Sequence, residues 1–298
     1  PAKPAAVPVS VSLPPPAEPE PEPPLSALLR PALEAVPLHS QTLLLTERES
    51  GEILFAIAPD RAMPPASMTK IMTALVAIEQ LDDLDTKIVL PSALFVPLYQ
   101  ANASMAGFLP EEAVAARDLL YATLLPSAAE AATGLAIAVA GDEPAFVAQM
   151  NARAASLGMT DTHFANVTGL DDPALSATAS DMTTLLRAAL KNKTFRTVFT
   201  TARRQIAPSA LHPDGIVLES TLFSRLESPD VAGGRLLGGK TGTTENAGMC
   251  LASLAELDEK EYLLVTFGAS GDPKTEWNHL SDHVAVYEAL FTALCSLP

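Results

Sequence analysis

The chain has 298 residues, 48% of them hydrophobic, which is enough for one large domain or two modest domains with a buried core. Its 35 acidic and 19 basic residues give a formal net charge of −16, without any Lys/Arg-rich run. Because such a chain is repelled by nucleic acid phosphates and by anionic lipid, we expect neither as a direct partner. No apolar stretch in the sequence reaches the length of a membrane span.

The first segment, residues 1–24, contains ten prolines and ends in PPPAEPEPEPP. Proline has a fixed φ and no amide hydrogen, so this segment is predicted to be an extended linker without helix or sheet ladders. Two interpretations fit it: a stiff spacer that holds the folded domain away from an upstream membrane anchor, and a disordered tail. The first residue is Pro1 rather than Met, which is compatible with a leader or an anchor further upstream.

The folded part is predicted to be a single domain over residues 25–298. It begins with a helix near Leu25, followed by two strand-like runs, QTLLLTE and EILFAIA, that are joined by a turn at Gly51. The apolar run IMTALVAIEQL then predicts a second helix, which starts at Ser67 and ends near Gln80.

A block of helices comes next along the chain. Residues 113–140 are rich in Ala and Leu and predict helices with a break at Pro126, and the stretches EPAFVAQMNARAASLGM and SDMTTLLRAALKN predict two more. After Gly234 the pattern changes to strand-like runs separated by turn signals, and residues 276–297 return to helical spacing. This order predicts an α+β fold, in which one antiparallel sheet is built from both chain ends and a helical lobe is inserted between them. A cleft between sheet and lobe is the expected site.

The cysteines and histidines carry no recognisable metal motif. Cys250 and Cys295 do not form a C-x-x-C pair; Cys250 lies in an apolar run and is predicted to be buried, and a disulfide between the two stays open. His279 and His283 have the four-residue spacing of helical metal ligands, but no Glu follows His279 as in H-E-x-x-H. We therefore interpret them as a solvated face of the last helix.

Three short motifs stand at landmarks of this predicted order. The first, PPASMTK, places Ser67 and Lys70 at a helix start, where the serine is interpreted either as an N-cap or as part of a site. The second, LLPSAAEAA, places Ser127 in the turn between two helices. The third, GGKTGTT, lies on a strand and contains Lys240, Thr241, Gly242 and Thr243.

The first motif has a chemical rationale. A serine hydroxyl needs a base within hydrogen-bond reach, and Lys70 lies one helical turn after Ser67. A lysine amine is a base only when its pKa is lowered, by burial or by a nearby positive charge such as that of Lys240. The free amides and positive dipole end of a helix N-terminus suit a developing oxyanion.

The strand motif has a rationale as well. Gly242 leaves room for a substrate backbone along the strand edge. The hydroxyl groups of Thr241 and Thr243 are suited to bind a carboxylate beside Lys240.

Ser-x-x-Lys, a second serine motif and Lys-Thr-Gly, in that order, resemble the pattern of penicillin-binding proteins and class A β-lactamases. From about residue 40 to the C-terminus, stretches such as SGEILFAIAPDRAMPPASMTKIMTALVAIE and GGKTGTTENAGMCLASLA resemble the D-alanyl-D-alanine carboxypeptidases of serine peptidase family S11. The resemblance implies a β-lactamase/transpeptidase-like fold and no metal or organic cofactor. It also implies peptidoglycan stem peptides ending in D-Ala-D-Ala as substrate, β-lactam antibiotics as inhibitors, and an extracytoplasmic place in the bacterial cell envelope.

The resemblance also implies roles for individual residues. Ser67 matches the acylated nucleophile, Lys70 its general base, and Ser127 the serine that relays protons between base and leaving group. The backbone amides of Ser67 and Thr243 match the oxyanion hole. The strand residues that match the substrate-binding positions are Lys240, Thr241, Gly242 and Thr243.

One position departs from the family pattern. The second motif usually reads Ser-x-Asn, whereas Ala129 stands here in place of the Asn whose amide helps to hold the motif lysine and the substrate carbonyl. Losing such a contact costs about 1–3 kcal/mol of transition-state stabilisation, or roughly ten- to a hundred-fold in rate, unless a residue such as Glu130 or Asn246 replaces it. Two interpretations follow: the site tolerates Ala129, or the chain is a weakened binding module.

Three functions are therefore carried forward. A carboxypeptidase that trims the terminal D-Ala is favoured, a module that binds penicillin or peptidoglycan is the alternative, and a β-lactamase is less favoured because no loop offers a deacylating Glu. Only about 55 residues follow the Lys-Thr-Gly motif. We therefore expect the catalytic domain alone, with any tether at its N-terminal end.

Overall fold

The computed structural model describes residues 23–272 and 274–297, so most of the predicted linker, residues 1–22, lies outside the described residues. The helices of the described part are α1 (Leu25–Glu34), α2 (Lys70–Gln80), α3 (Phe95–Gln100), α4 (Ala116–Leu124), α5 (Ala129–Ala140), α6 (Glu143–Ser156), α7 (Ala179–Ala189), α8 (Lys193–Phe199) and α9 (Asn278–Cys295). Its strands are β1 (Thr42–Glu47), β2 (Ile53–Ile57), β3 (Lys87–Val89), β4 (Ala113–Ala115), β5 (Arg203–Ile206), β6 (Ile216–Glu219), β7 (Asp230–Val231), β8 (Gly234–Thr244), β9 (Gly248–Leu257) and β10 (Lys260–Ala269).

Six strands form one antiparallel sheet in the order β2-β1-β10-β9-β8-β7. The N-terminal strand β1 pairs with the C-terminal strand β10, with Thr42 opposite Phe267. The helices between β2 and β8 form the inserted lobe. The predicted α+β architecture, with one sheet built from both chain ends, is therefore confirmed. Two small sheets, β3–β4 and β5–β6, were not anticipated by the sequence patterns.

The sheet is buried on both faces, which explains why its strands read as nearly continuous apolar runs. On β1, Leu44 packs in the larger core cluster with helices α2, α4, α5 and α7 of the lobe. Its neighbours Leu43 and Leu45 point the other way, into a second cluster with α1 and α9. The candidate site residues described below lie on the lobe side.

Helix α2 is the central element of the lobe. All its residues from Lys70 to Ala77 are buried, so the helix is apolar nearly all round, as expected for one enclosed by other elements. Among the described residues, no single helix is long and apolar enough to cross a membrane; α5 and α6 meet that criterion only as a pair bent by 87°.

The interpretation of His279 and His283 as a solvated helix face is wrong. Both side chains are fully buried, because α9 packs this face onto the sheet. His283 lies between the hydroxyl groups of Ser253, at 2.7 Å, and Thr266, at 2.9 Å.

Both cysteine thiols are free in the described part of the chain. Cys250 is fully buried, as predicted, whereas Cys295 is exposed at the end of α9. The open question of a disulfide is thus answered by two separate thiols in this structure.

Candidate active site

Ser67 lies in a short 3₁₀ turn, Ala66–Thr69, that leads directly into α2. Its side chain caps neither helix, so the structure does not support the N-cap interpretation. Instead, the Nζ of Lys70, the first residue of α2, lies 3.1 Å from Ser67 Oγ. Ala66, directly before the serine, has a left-handed backbone with φ of +47°, an unfavourable conformation for a residue with a Cβ. The turn therefore holds the hydroxyl beside the amine.

Lys70 is only 2% exposed. Burial lowers the pKa of Lys70 to about 7, against an opposing effect of the Glu130 charge. Of the two causes considered from sequence, burial is the one that lowers this pKa. At neutral pH a substantial fraction of this amine is uncharged and is able to accept a proton from Ser67.

A backbone group that sequence reasoning missed completes the surroundings of the pair. The carbonyl oxygen of Thr168 accepts a hydrogen bond from Lys70 Nζ at 2.5 Å and lies 3.5 Å from Ser67 Oγ. A carbonyl has no side-chain signature, so no motif points to it. A cavity of about 340 Å³ opens beside Thr168, where residues of α3, Asn166 and Leu170 line it.

Ser127 lies in the turn between α4 and α5, as predicted. Its backbone is left-handed, with φ of +65°, and its side chain is nearly buried. Its Oγ has no hydrogen-bond partner within the described residues, so it is not bonded to Ser67 or Lys70 here. A strained residue with a free, buried hydroxyl is compatible with a group that binds when substrate arrives.

Lys240 is fully buried on β8, and its Nζ donates to the carbonyl of Thr241 at 2.8 Å. Burial first, then the charges of Lys70 and Arg225, hold the pKa of Lys240 well below its ordinary value. The Thr241 hydroxyl is 2.6 Å from that of Thr221, a second partner that the sequence did not reveal.

Gly242 brings β8 against Ser67. A Cβ built at this glycine would lie 2.9 Å from the Ser67 amide nitrogen and 3.0 Å from the carbonyl oxygen of Pro65. The missing side chain therefore keeps the space beside the Ser67 amide free. Thr243, the next residue on the strand, is exposed.

The consequences of Ala129 are visible at the start of α5. Ala129 is buried, and its amide donates to the carbonyl of Ser104 at 2.7 Å. Glu130 is also buried; its Oε1 accepts from the amides of Ala106 and Gly107, at 2.7 and 3.2 Å. Desolvation raises the pKa of Glu130. It does not hydrogen-bond Lys70, so it does not replace an amide there.

Asn246, the other candidate to replace that amide, lies on the exposed turn after β8. Its backbone amide approaches the carboxylate of Asp171 at 3.5 Å, and Thr244 Oγ1 donates to the same carboxylate at 2.5 Å. Within the described residues, its side chain has no hydrogen bond to Lys70.

A Ser-Lys pair at the start of a buried helix, with a Lys-Thr-Gly strand packed against it, is the pattern of acyl-serine enzymes of the penicillin-binding class. The family model described as D-alanyl-D-alanine carboxypeptidase, peptidase family S11, matches residues 30–271. The chain belongs to this family.

Individual relatives agree with this assignment. The chain is 36% identical to the D-alanyl-D-alanine carboxypeptidase DacB2 of Mycobacterium tuberculosis, over 70% of this chain and 67% of that protein. It is 30% identical to the carboxypeptidase DacF of Bacillus subtilis, over 78% of this chain but only 58% of the relative.

Solved structures show the same fold. A D-alanyl-D-alanine carboxypeptidase from Mycobacterium tuberculosis superimposes with a TM-score of 0.73 at 28% identity, covering 88% of this chain and 93% of that one. A Streptomyces DD-transpeptidase gives a TM-score of 0.76 at 27% identity, covering 86% of this chain and 98% of the other.

Proposed function

We propose that this chain is a serine D-Ala-D-Ala carboxypeptidase that removes the terminal D-Ala from peptidoglycan stem peptides through an acyl-enzyme on Ser67. The observation that carries the proposal is the pair of Ser67 Oγ and Lys70 Nζ, 3.1 Å apart, with burial lowering the pKa of the amine to about 7. Membership of the carboxypeptidase family supports the substrate class.

The proposed acylation follows from this geometry. Neutral Lys70 takes the proton of Ser67 as Oγ attacks the carbonyl carbon of the penultimate D-Ala. The resulting oxyanion accepts hydrogen bonds from the backbone amides of Ser67 and Thr243, in the space that Gly242 leaves open. The proton then passes through the Ser127 hydroxyl to the amine of the leaving D-Ala as the C–N bond breaks.

Hydrolysis of the ester completes the cycle. A water molecule gives its proton to neutral Lys70 and attacks the acyl carbon, and Ser67 leaves as the hydroxyl after reprotonation. The shortened stem peptide departs with a new carboxylate. In the Michaelis complex, Lys240, Thr241 and Thr243 bind the carboxylate of the terminal D-Ala.

β-Lactams are expected to acylate the same serine, because their ring amide occupies the place of the scissile bond. Since the polymer lies outside the cytoplasm, we propose an extracytoplasmic site of action. An N-terminal membrane anchor upstream of the chain remains part of this proposal.

The first test is the intact mass of the protein after brief incubation with benzylpenicillin. A stoichiometric adduct is expected in the wild type and none in the Ser67→Ala control. Release of D-Ala from a pentapeptide ending in D-Ala-D-Ala is the second readout. Absence of an adduct, with penicillin left intact, contradicts the proposal.

The same experiment separates the alternatives. The buried Ala129, which has no side-chain amide to offer Lys70 or the substrate, favours the binding module as second candidate. Reversible peptidoglycan binding without an adduct would support that module. Rapid turnover of penicillin without D-Ala release would support a β-lactamase.

A further inference from the structure

The turn formed by residues 166–170 is organised by one side chain. Asn166 Oδ1 accepts hydrogen bonds from the Thr168 amide at 3.1 Å, from the Thr168 hydroxyl at 3.2 Å and from the Gly169 amide at 2.7 Å. Its Nδ2 donates to the carbonyl of Leu170 at 3.0 Å. The Asn166 side chain thus pairs three backbone groups of the turn, and Glu143 Oε1 of α6 accepts from a fourth, the Val167 amide, at 3.0 Å. Because no other side chain bonds as many backbone groups of this turn, its shape depends mainly on Asn166.

This turn packs against α2 at the catalytic pair. Thr73 Oγ1 donates to the Val167 carbonyl at 2.8 Å, and Lys70 Nζ donates to the next carbonyl, that of Thr168, at 2.5 Å. Lys70 and Thr73 are three residues apart and so share a helix face. The turn therefore meets this face with two consecutive carbonyl groups.

The turn also touches the segment that carries the nucleophile. A Cβ at Gly169 would lie 1.9 Å from the carbonyl oxygen of Ala66 and 2.8 Å from the amide nitrogen of Ser67. Only a glycine fits here, and its φ of +82° is also one that glycine adopts without strain. A displacement of the turn would thus move both Ser67 and the partner of Lys70.

Lys70 depends on this carbonyl. Within the described residues its Nζ has two hydrogen-bond partners, Ser67 Oγ and the Thr168 carbonyl, and Ala129 contributes none. The first partner reacts, so the carbonyl is the partner that stays in place throughout a turnover. A buried amine without a fixed partner takes up several rotamers, few of which point at Ser67.

We propose that Asn166 is a positioning residue of this active site: its amide fixes the 166–170 turn so that the Thr168 carbonyl holds Lys70 Nζ against Ser67. The turn thereby supplies Lys70 with a polar partner that the Ala129 side chain cannot provide. This inference rests on the proposed acyl-serine function.

The test compares Asn166→Ser with Asn151→Ser. Asn151 is a matched control, because it also bonds backbone of the same segment: it donates to the Phe164 carbonyl at 2.8 Å and accepts from the Phe164 amide at 2.9 Å. The acylation rate constant and the dissociation constant for benzylpenicillin are measured together with Tm.

Asn166→Ser is expected to lower the acylation rate constant about tenfold or more, with the dissociation constant within about twofold. Asn151→Ser is expected to lower Tm and to leave the acylation rate constant within about twofold. Equal acylation rates for Asn166→Ser and the wild type, or equal losses in both variants, overturn the inference. If the wild type itself forms no adduct with benzylpenicillin, the proposed function is wrong, and the comparison of variants no longer applies.

A rescue experiment tests the link to Ala129. Introducing Ala129→Asn into Asn166→Ser is expected to restore part of the acylation rate, because the new side-chain amide offers Lys70 another partner but does not reposition Ser67. In Asn151→Ser, which acylates at nearly the wild-type rate, the same change should leave the rate constant within about twofold. If Asn166→Ser does not fold, Asn166→Asp serves as the second variant, because its carboxylate keeps an oxygen that accepts the hydrogen bonds of the turn. Measured near pH 9, about two units above the wild-type Lys70 pKa of about 7, Asn166→Asp is expected to acylate within about threefold of wild type. A loss above tenfold in Asn166→Asp with unchanged Tm contradicts the inference.

Discussion

The lowered pKa of Lys70 results from burial rather than from a nearby positive charge. Its ammonium form is disfavoured by burial, and the Thr168 carbonyl keeps the amine beside Ser67 without adding charge. An amine accepts a proton only in its neutral form. The rate of acylation should therefore follow the deprotonation of Lys70.

We expect the acylation rate constant for benzylpenicillin to rise from about pH 6 to about pH 8, with a midpoint near the pKa of about 7 for Lys70. Below the midpoint the amine carries its proton and cannot take that of Ser67. Rate constants measured across this range by quenched mass spectrometry check the expectation. Lys70→Arg, which stays charged, should remain folded but unreactive at every pH, and a flat profile for the wild type would rule out Lys70 as the base.

Residues of the site were predictable to different degrees. Ser67, Lys70 and the Lys240 strand stand in short motifs whose spacing reflects a helical turn or a strand, so the sequence alone singles them out as candidates. The Thr168 carbonyl and the Thr221 hydroxyl were not predicted, because they reach the site from segments far away in the chain. A short sequence motif contains no information about contacts between segments that are distant in the chain.

At the scale of elements, the close approach of β8 to the Ala66–Thr69 turn defines the site. Gly242 makes this approach feasible, since a Cβ there would lie 2.9 Å from the Ser67 amide nitrogen. From sequence, the glycine was expected to make room for substrate. The structure adds that Gly242 also allows β8 to lie this close to Ser67.

Gly242→Ala is expected to lower the acylation rate constant about a hundredfold or more, because its methyl group would crowd the Ser67 amide, which we propose as an oxyanion donor. Gly239→Ala is the control: it lies on the same strand, and its Cβ would meet the Leu222 side chain at 2.8 Å and the Ala252 carbonyl oxygen at 3.2 Å rather than the Ser67 segment. We expect the control to lower Tm modestly and to acylate at nearly the wild-type rate. Comparable acylation by both variants would show that the approach of β8 at Gly242 is not critical.

Long apolar elements were anticipated well, and short ones were not. The strands β8, β9 and β10 have ten or eleven residues each, and their apolar runs are unmistakable. By contrast, β3 and β4 have three residues each, too few for any periodicity to emerge. The error at His279 and His283 has another origin: spacing shows that two residues share a helix face, but not whether that face meets solvent.

At the scale of the whole molecule, the packing of α9 on the sheet buries ionisable groups. Burial lowers the pKa of His279 to about 4, with the Arg225 charge acting in the same direction. In the unfolded chain, a histidine has its ordinary pKa of about 6.5. The unfolded state therefore binds more protons than the folded state between these two values, and stability falls as pH decreases through that window.

We expect His279→Leu to flatten the dependence of Tm on pH between about 6.5 and 4. Because the folded state keeps His279 neutral, this residue accounts for up to about 3 kcal/mol of the fall in the free energy of unfolding over this pH range. Leucine does not titrate, so the variant lacks this contribution. Thermal unfolding measured at several pH values checks the prediction, with His163→Gln on the exposed surface as control. An unchanged slope in His279→Leu would assign the acid sensitivity to other groups.

The pairing of β1 with β10 also determines at which stage of synthesis and folding Ser67 can become reactive. Ser67 is synthesised early, yet the strand that faces it, and the neighbours that anchor that strand, come from the last third of the chain. A nascent or unfolded polypeptide thus carries an ordinary serine beside an ordinary, protonated lysine. Under the proposed function, completion of the fold is itself the activation step, so we expect Ser67 to be unreactive until the final strands have joined the sheet.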